Sequence, residues 1–184
     1  MAAAGFFKSL RLRYFAKPAY DRRLYSLIRR HKIGQIVELG VAQGQRSIRM
    51  IELAQRYHEG EVRYTGIDLF EARQDDAPGL SLKQAYTRMR ATGAKVQLIP
   101  GDPFSSLARS ANSLTGTQLL LISADQDAAS LDRAWFYVPR MLADGAHVLV
   151  EHLGDDPAKA KYELLSRDRI DVLAGANQQR RRAA

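Results

Sequence analysis

The sequence predicts a single α/β domain: a doubly wound, mostly parallel sheet with helices on both faces. Three observations carry this. From Gln35 onward, short apolar runs alternate with longer stretches whose apolar positions recur every three or four residues, the pattern of strands joined by crossover helices. The β-α units repeat about every 25 to 30 residues, which suits a strand, a helix and two short connections. One run, Leu119-Leu120-Leu121-Ile122, is apolar without alternation, as in a strand covered on both faces.

Taken in order, the segment after Pro18 places Tyr20, Leu24, Leu27 and Ile28 at helical spacing, and Gly34 ends that helix. Ile36-Val37-Glu38-Leu39 is the first strand, followed by a helix over about Ser47 to Tyr57 that turns Ile48, Ile51 and Ala54 inward. Val62 to Asp68 forms the second strand. A loop rich in Asp, Pro and Gly follows, then a helix carrying Leu82, Tyr86 and Met89. Val96 to Pro100 is the third strand, Phe104 to Ala111 a short helix, and Gln118 to Ser123 the fourth strand. The next helix sets Ala128, Leu131, Trp135 and Val138 on one stripe, with Pro139 in its last turn. Asp144-Gly145 makes the turn into a fifth strand, Ala146 to Glu151. Beyond it, Asp156 to Arg167 suits a helix and Arg169-Ile170-Asp171-Val172-Leu173 a strand, leaving at most a shortened C-terminal hairpin. The substrate-side wall is then short, open, or completed by a second subunit in a homodimer.

With 184 residues, 46% of them hydrophobic and 26% charged, the chain suits one compact domain with a sizeable core. The lack of cysteine excludes disulfides, thiolate metal sites and cysteine nucleophiles, and fits a cytoplasmic protein. No apolar run approaches the roughly 20 residues a membrane span requires. The formal charge of +8 is unevenly placed. Residues 1–32, a basic arm and helix, hold nine Lys or Arg against Asp21 alone, and the polar tail, residues 176–184, ends in Arg180-Arg181-Arg182. The domain between them, residues 33–175, is slightly acidic, which argues against nucleic acid as a main partner. Phe6 to Phe15 mixes apolar and cationic residues, so the arm suits weak contact with an anionic membrane surface as well as docking on the body.

The candidate binding residues lie at the carboxyl ends of the strands, where such sheets hold ligands. Gly40 follows the first strand directly and Gly44 opens the next helix; glycine lets backbone amides approach a ligand, and the helix N-terminus favours an anionic group. Asp68 closes the second strand 28 residues after Gly40, where a carboxylate can accept two hydroxyls of a ribose or cap the following loop. Asp102 repeats this after the third strand, facing an adenine amino group or capping the helix that begins near Pro103. A Gly-x-Gly-x-x-Gly fingerprint is absent and the acid comes later than in dinucleotide sites, so that reading is minor. The chain also lacks a Walker-type Gly-Lys-Ser/Thr.

Glu38-Leu39-Gly40-Val41-Ala42-Gln43-Gly44 resembles the first motif of class I S-adenosylmethionine-dependent methyltransferases. Gly66-Ile67-Asp68-Leu69, Pro100-Gly101-Asp102 and Met141 to Ala146 resemble the later motifs in the same order. The resemblance spans about Gln35 to His152 and implies a Rossmann-like sheet holding S-adenosylmethionine. It implies that the Gly40 loop faces the methionine part with Glu38 near its amino group, that Asp68 holds the ribose and Asp102 the adenine, and that Leu69 and Phe104 wall the adenine. Methyl transfer to a small-molecule acceptor, on an oxygen, is the implied activity.

Transfer to a hydroxyl requires an aligned acceptor and a base. Ser123-Ala124-Asp125 and Glu151-His152, at the ends of the fourth and fifth strands, resemble the metal-binding segments of catechol-type O-methyltransferases. Ser123 and Glu151-His152 depart from the Asp and Asp-Asn of that family, which weakens a site for a hard divalent ion, so no metal is expected. Ser123 then falls on the cofactor side. His152 is the candidate base, since its usual pKa suits proton abstraction near neutrality, with Asp125 and Glu151 beside it. Two alternatives stay open: a degenerate cofactor-binding module without turnover, and a methyltransferase that uses its basic arm on nucleic acid or membranes.

Overall fold

The computed structural model describes residues 21–73, 79–153 and 161–183, with side chains up to Ala176. The Phe6 to Phe15 arm, Tyr20, and the polar centre of the loop before Gly79 lie outside them.

The described chain runs α1 (Asp21–Arg30), β1 (Gln35–Leu39), α2 (Gln45–Tyr57), β2 (Arg63–Asp68), α3 (Leu82–Arg90), β3 (Lys95–Pro100), α4 (Pro103–Ser110) and β4 (Thr117–Ile122). Then come α5 (Ala128–Ala134), a 3-10 turn at Trp135–Tyr137, α6 (Val138–Met141), β5 (Leu142–His152), β6 (Lys161–Leu165) and α7 (Arg167–Ala183). The six strands form one sheet in the order β3-β2-β1-β4-β5-β6. The first five are parallel and β6 runs antiparallel to β5. The order reverses between β1 and β4, so the crevice that such a switch opens lies at the carboxyl ends of those two strands.

Alternation along each strand divides the core between two faces. Leu119 and Leu121 of β4 and Ile36 of β1 join Leu24, Tyr25 and Ile28 of α1, Met50, Ile51 and Ala54 of α2 and Met89 of α3 on one side. Leu120, Ile122 and Val37 pack on the other with Leu107 of α4, Trp135, Val138, Met141 and Ile170 of α7. The unbroken apolar run of β4 therefore has the cause the sequence suggested: helices cover both faces.

The C-terminal elements exchange places relative to expectation. Residues 161–165, expected in a helix, form β6, and Arg169 to Leu173, expected as a strand, lie in α7; the start of the expected helix lies outside the described residues. Two causes act together. The open edge of β5 offers backbone pairing from Val148 to His152, and the alternation of Ile170 and Val172 competes with a helical spacing of Ile170 and Leu173. The helix prevails because it buries Ile170 and packs Leu173 on the core, leaving Val172 exposed. β5 also begins earlier than expected, at Leu142, with a register shift opposite Thr117 and Leu119, so Asp144-Gly145 sits inside the strand.

Near the end of α1, His31 meets His147 of β5 with ring centroids 4.3 Å apart. Partial burial, then the neighbouring His31, holds the His147 imidazole below its ordinary pKa. A base whose folded pKa is depressed gives stability that is full above the unfolded value and is lost as pH falls through the folded one. Chemical denaturation of wild type and His147→Asn should therefore show the wild type losing ground to the variant as pH drops from 7.5 to about 5. A difference that is flat with pH would contradict this.

Candidate functional site

The loop after β1 is shaped by left-handed backbone and by one carboxylate. Gly40 (φ +91°) could not carry a side chain: a Cβ there would stand 2.6 Å from Ser123 Cβ and 2.5 Å from Gln126 Nε2, so it lets the loop after β4 close on β1. Gly44 (φ +71°) leads directly into α2. Asp68, buried at the end of β2, accepts from Val41 N at 2.6 Å and Ala42 N at 2.9 Å through Oδ2. Arg73 pairs with the same oxygen, while Oδ1 accepts from Phe70 N at 3.1 Å. The acid that closes β2 thus first pins the loop.

Two cavities flank this loop. The larger, about 500 Å³, is lined by Asp68, Leu69, Arg73, Gly101 to Pro103 and Asp125 to Asp127. The smaller, about 340 Å³, is lined by Val41 to Arg46, Asp21, Arg49, Ser123, Asp125, Glu151 and Leu153. Ala42 and Asp125 border both. The two lie side by side along the carboxyl ends of β2, β1 and β4.

Behind the smaller cavity, Arg46 directs all five of its N–H groups at named acceptors. Nε donates to Glu38 at 2.9 Å, Nη1 to Glu151 at 3.0 Å and to the Tyr162 hydroxyl at 3.4 Å, and Nη2 to the Gly40 carbonyl at 3.2 Å and to Ser123 Oγ. Glu38 also accepts from Ser47 Oγ at 2.6 Å and from the Tyr64 hydroxyl at 2.5 Å. Burial pulls the Arg46 guanidinium down, but Glu38, Tyr162 and Glu151 outweigh it and hold the pKa well above the usual value. The Tyr162 hydroxyl passes the chain on, donating to Asp21 Oδ1 at 2.6 Å.

No family model and no curated protein matches the sequence. Solved structures do. The O-methyltransferase TomG from Streptomyces achromogenes, crystallised with SAM, aligns with 95% of this chain and 76% of its own at 14% identity and a TM-score of 0.54. CalS11, a TDP-rhamnose 3'-O-methyltransferase, aligns over 84% and 79% at 18% identity and a TM-score of 0.55. Cofactor-bound Rv0187 from MTB aligns over 96% and 76% at 15% identity and a TM-score of 0.51. The chain has the class I S-adenosylmethionine-dependent methyltransferase fold.

Within this methyltransferase fold the expected residues divide into those that reach the cavities and those that do not. Gly44, Asp68, Asp102, Ser123, Asp125, Glu151 and Leu69 line them, and Leu69 stays 42% exposed. Glu38 does not. It is fully buried and surrounded by its three donors, because its place in β1 points it under α2 instead of into the loop. Phe104 packs in the second core with the Arg133 guanidinium 3.6 Å from its ring centroid, so Leu69 and Pro103 supply the apolar wall. Asp102 caps α4: it accepts from Ser105 N at 3.1 Å and from the Ser105 and Ser130 hydroxyls. Burial acts to raise its pKa, but these bonds outweigh it and bring the carboxyl to about 2.

The acid-base candidates also separate. Glu151 and His152 are consecutive on β5, so they face opposite ways. Glu151 turns inward to Arg46 and Ala124 N, whereas His152 is exposed and lies 2.7 Å from Glu163 of β6, away from both cavities. Asp125, Glu151 and His152 thus share no common point, and among the described residues no three His, Asp or Glu side chains converge as a metal site.

Arg46, Asp21, Arg49 and Tyr162 were not singled out by the sequence. One signal was available for Arg46: a cation in the first turn of a helix opposes the helix dipole and so needs a specific acid. Asp21 and Tyr162 lie 141 residues apart, beyond any local pattern. Removing Arg46 leaves Glu38 buried without its cation, so Arg46→Ala should lower stability by about 3–5 kcal/mol, read by urea denaturation. Arg46→Lys, which keeps charge but not the five-donor fork, should recover only part of it.

Proposed function

We propose that this chain is an S-adenosylmethionine-dependent methyltransferase that modifies an oxygen of a small-molecule acceptor. The observation that carries this reading is the pair of neighbouring cavities, both bordered by Ala42 and Asp125, along the carboxyl ends of β2, β1 and β4. The larger is of nucleoside size and offers two matched features. Among the described residues Asp68 Oδ1 takes one hydrogen bond, from Phe70 N, so acceptor capacity remains for a ribose hydroxyl. Leu69 and Pro103 give an apolar surface for a flat base. Asp102, committed to its cap, serves the adenine only through the shape it gives the Gly101 turn. The smaller cavity, with Gly44 and Ser123, takes the amino-acid end.

When bound, S-adenosylmethionine supplies a sulfonium methyl for transfer, the carbon–sulfur electron pair returning to sulfur. This chain's residues hold and align the partners, which accounts for most of what such a reaction asks of a protein. Asp125 is the candidate base that borders both cavities; it takes the proton of an acceptor hydroxyl, while Gln126 Nε2, 2.9 Å from its Oδ1, orients it. His152 and Glu151 are not assigned that role, one for its direction and the other for its bond to Arg46. That same loss favours a second reading, a cofactor-binding module without turnover.

Calorimetry and thermal melting with S-adenosylhomocysteine separate these. The product should raise the melting temperature by about 5–10 °C at a hundred-fold excess over Kd. Asp68→Ala should remove the shift. If neither the cofactor nor its product shifts the wild type at about millimolar concentration, the cofactor reading is lost. Asp125→Asn should keep product binding and lose about 100-fold or more in turnover across a panel of hydroxylated acceptors. Binding without turnover in the wild type would select the module.

A further inference from the structure

Asp21, the first residue of α1, is 2% exposed yet borders the smaller cavity. Among the described residues its hydrogen bonds come from two neutral hydroxyls, Tyr162 on Oδ1 at 2.6 Å and Tyr25 on Oδ2 at 3.3 Å. Among the described residues no Lys or Arg pairs with it directly. A carboxylate so enclosed ordinarily sits against a cation. Here Arg46 acts on it only at a distance, because its five donors go elsewhere. Burial raises its pKa, and the hydroxyls, with Arg46, offset this only in part.

Among the described residues each Asp21 oxygen holds one donor, which leaves acceptor capacity for a second. Around the same cavity stand two more carboxylates, Asp125 and Glu151, and the Gly44 turn. Arg49, one helical turn beyond Arg46, is the other cation on the wall, and it acts on Tyr25 through a side-chain hydrogen bond and through its charge. A group that fits is a compact cation with several N–H donors, close enough to complete the bonding of Asp21; a carboxylate beside it would lie toward Arg49.

We propose that Asp21 is the carboxylate that receives a ligand's ammonium group in the smaller cavity. The assignment rests on the cofactor reading given above and deepens it. The ammonium has two sources, the amino-acid end of S-adenosylmethionine or an amine on the acceptor, and both present the same chemistry to Asp21. The assignment also gives α1 a function. It carries into the site a residue that lies outside the glycine loop and the acids that follow it.

The test compares S-adenosylhomocysteine with 5'-methylthioadenosine, which keeps the nucleoside but lacks the amino-acid end. Calorimetry is run on wild type, Asp21→Asn and Asp21→Glu, and phenethylamine is titrated into each protein saturated with methylthioadenosine. The expected result is that the wild type prefers S-adenosylhomocysteine by about ten-fold or more. Asp21→Asn should lose this preference while its affinity for methylthioadenosine, which reports a folded site, is unchanged. If phenethylamine binding alone depends on Asp21, the assignment stands with the acceptor as source. Equal weakening of both nucleosides in Asp21→Asn, or no effect on any ligand, overturns it and leaves the cofactor reading intact. Failure of the wild type to bind either nucleoside removes the cofactor reading and the assignment together. A crystal structure with S-adenosylhomocysteine and phenethylamine needs no variant: an ammonium nitrogen within about 3.2 Å of Asp21 supports the assignment, and both nitrogens directed elsewhere overturn it.

Discussion

The guanidinium of Arg46 is the constraint on which the rest of the site depends. It is one rigid plane with five donors in fixed directions, and they end on β1 through Glu38, on the Gly40 loop, and on Ser123, Glu151 and Tyr162 at the ends of β4, β5 and β6. Taking this charge out of water is costly, and two carboxylates with 17% or less exposure at either partner offset it. The arrangement tolerates little movement, because shifting any one strand end would leave a buried donor or carboxylate unmatched.

Several acids at the expected places are bound first to the fold itself. Strand ends in a parallel sheet expose backbone groups and sit beside helix N-termini, so polar residues there serve the fold as readily as chemistry. Glu38 and Glu151 neutralise Arg46, Asp102 caps α4, and Asp68 holds two loop amides before it holds anything else. What remains turned to the cavities without being wholly committed is a smaller set: Asp21, Asp125, the open side of Asp68 Oδ1 and the apolar surface of Leu69. The candidate chemistry rests on these.

The sequence made the sheet legible because its physical cause is local. Apolar runs with helical periods between them can be satisfied only by a covered parallel sheet, and β1 to β5 follow. It was less informative after Glu151, where Ile170, Val172 and Leu173 fit both periods and the choice turned on which face of the core was still open. The turns around the crevice were legible where one residue type at one position suffices, as with the left-handed Gly40 and Gly44 and with Asp68 at the end of β2. Side-chain placement was not legible where direction decides. Alternation required that only one of Glu151 and His152 face the crevice, but which one depended on the pairing of β5 with β4 and β6. Asp21 and Tyr162 could be joined by nothing short of the folded chain.

The two carboxylates left at the smaller cavity occupy opposite environments, and that contrast suits a division of labour. Asp125 is exposed on the loop after β4, open to solvent and to a bound acceptor. Asp21 is enclosed between two tyrosines. Burial disfavours its charged form, and a positive group beside it favours that form. A site of this kind discriminates against a ligand that lacks the cation, since the enclosed acid would otherwise stay without a cationic partner. The N-terminal helix, which precedes every recognisable motif, thereby becomes part of the binding site, and the Arg46 fork that fixes Tyr162 also fixes the donor that holds Asp21 in place.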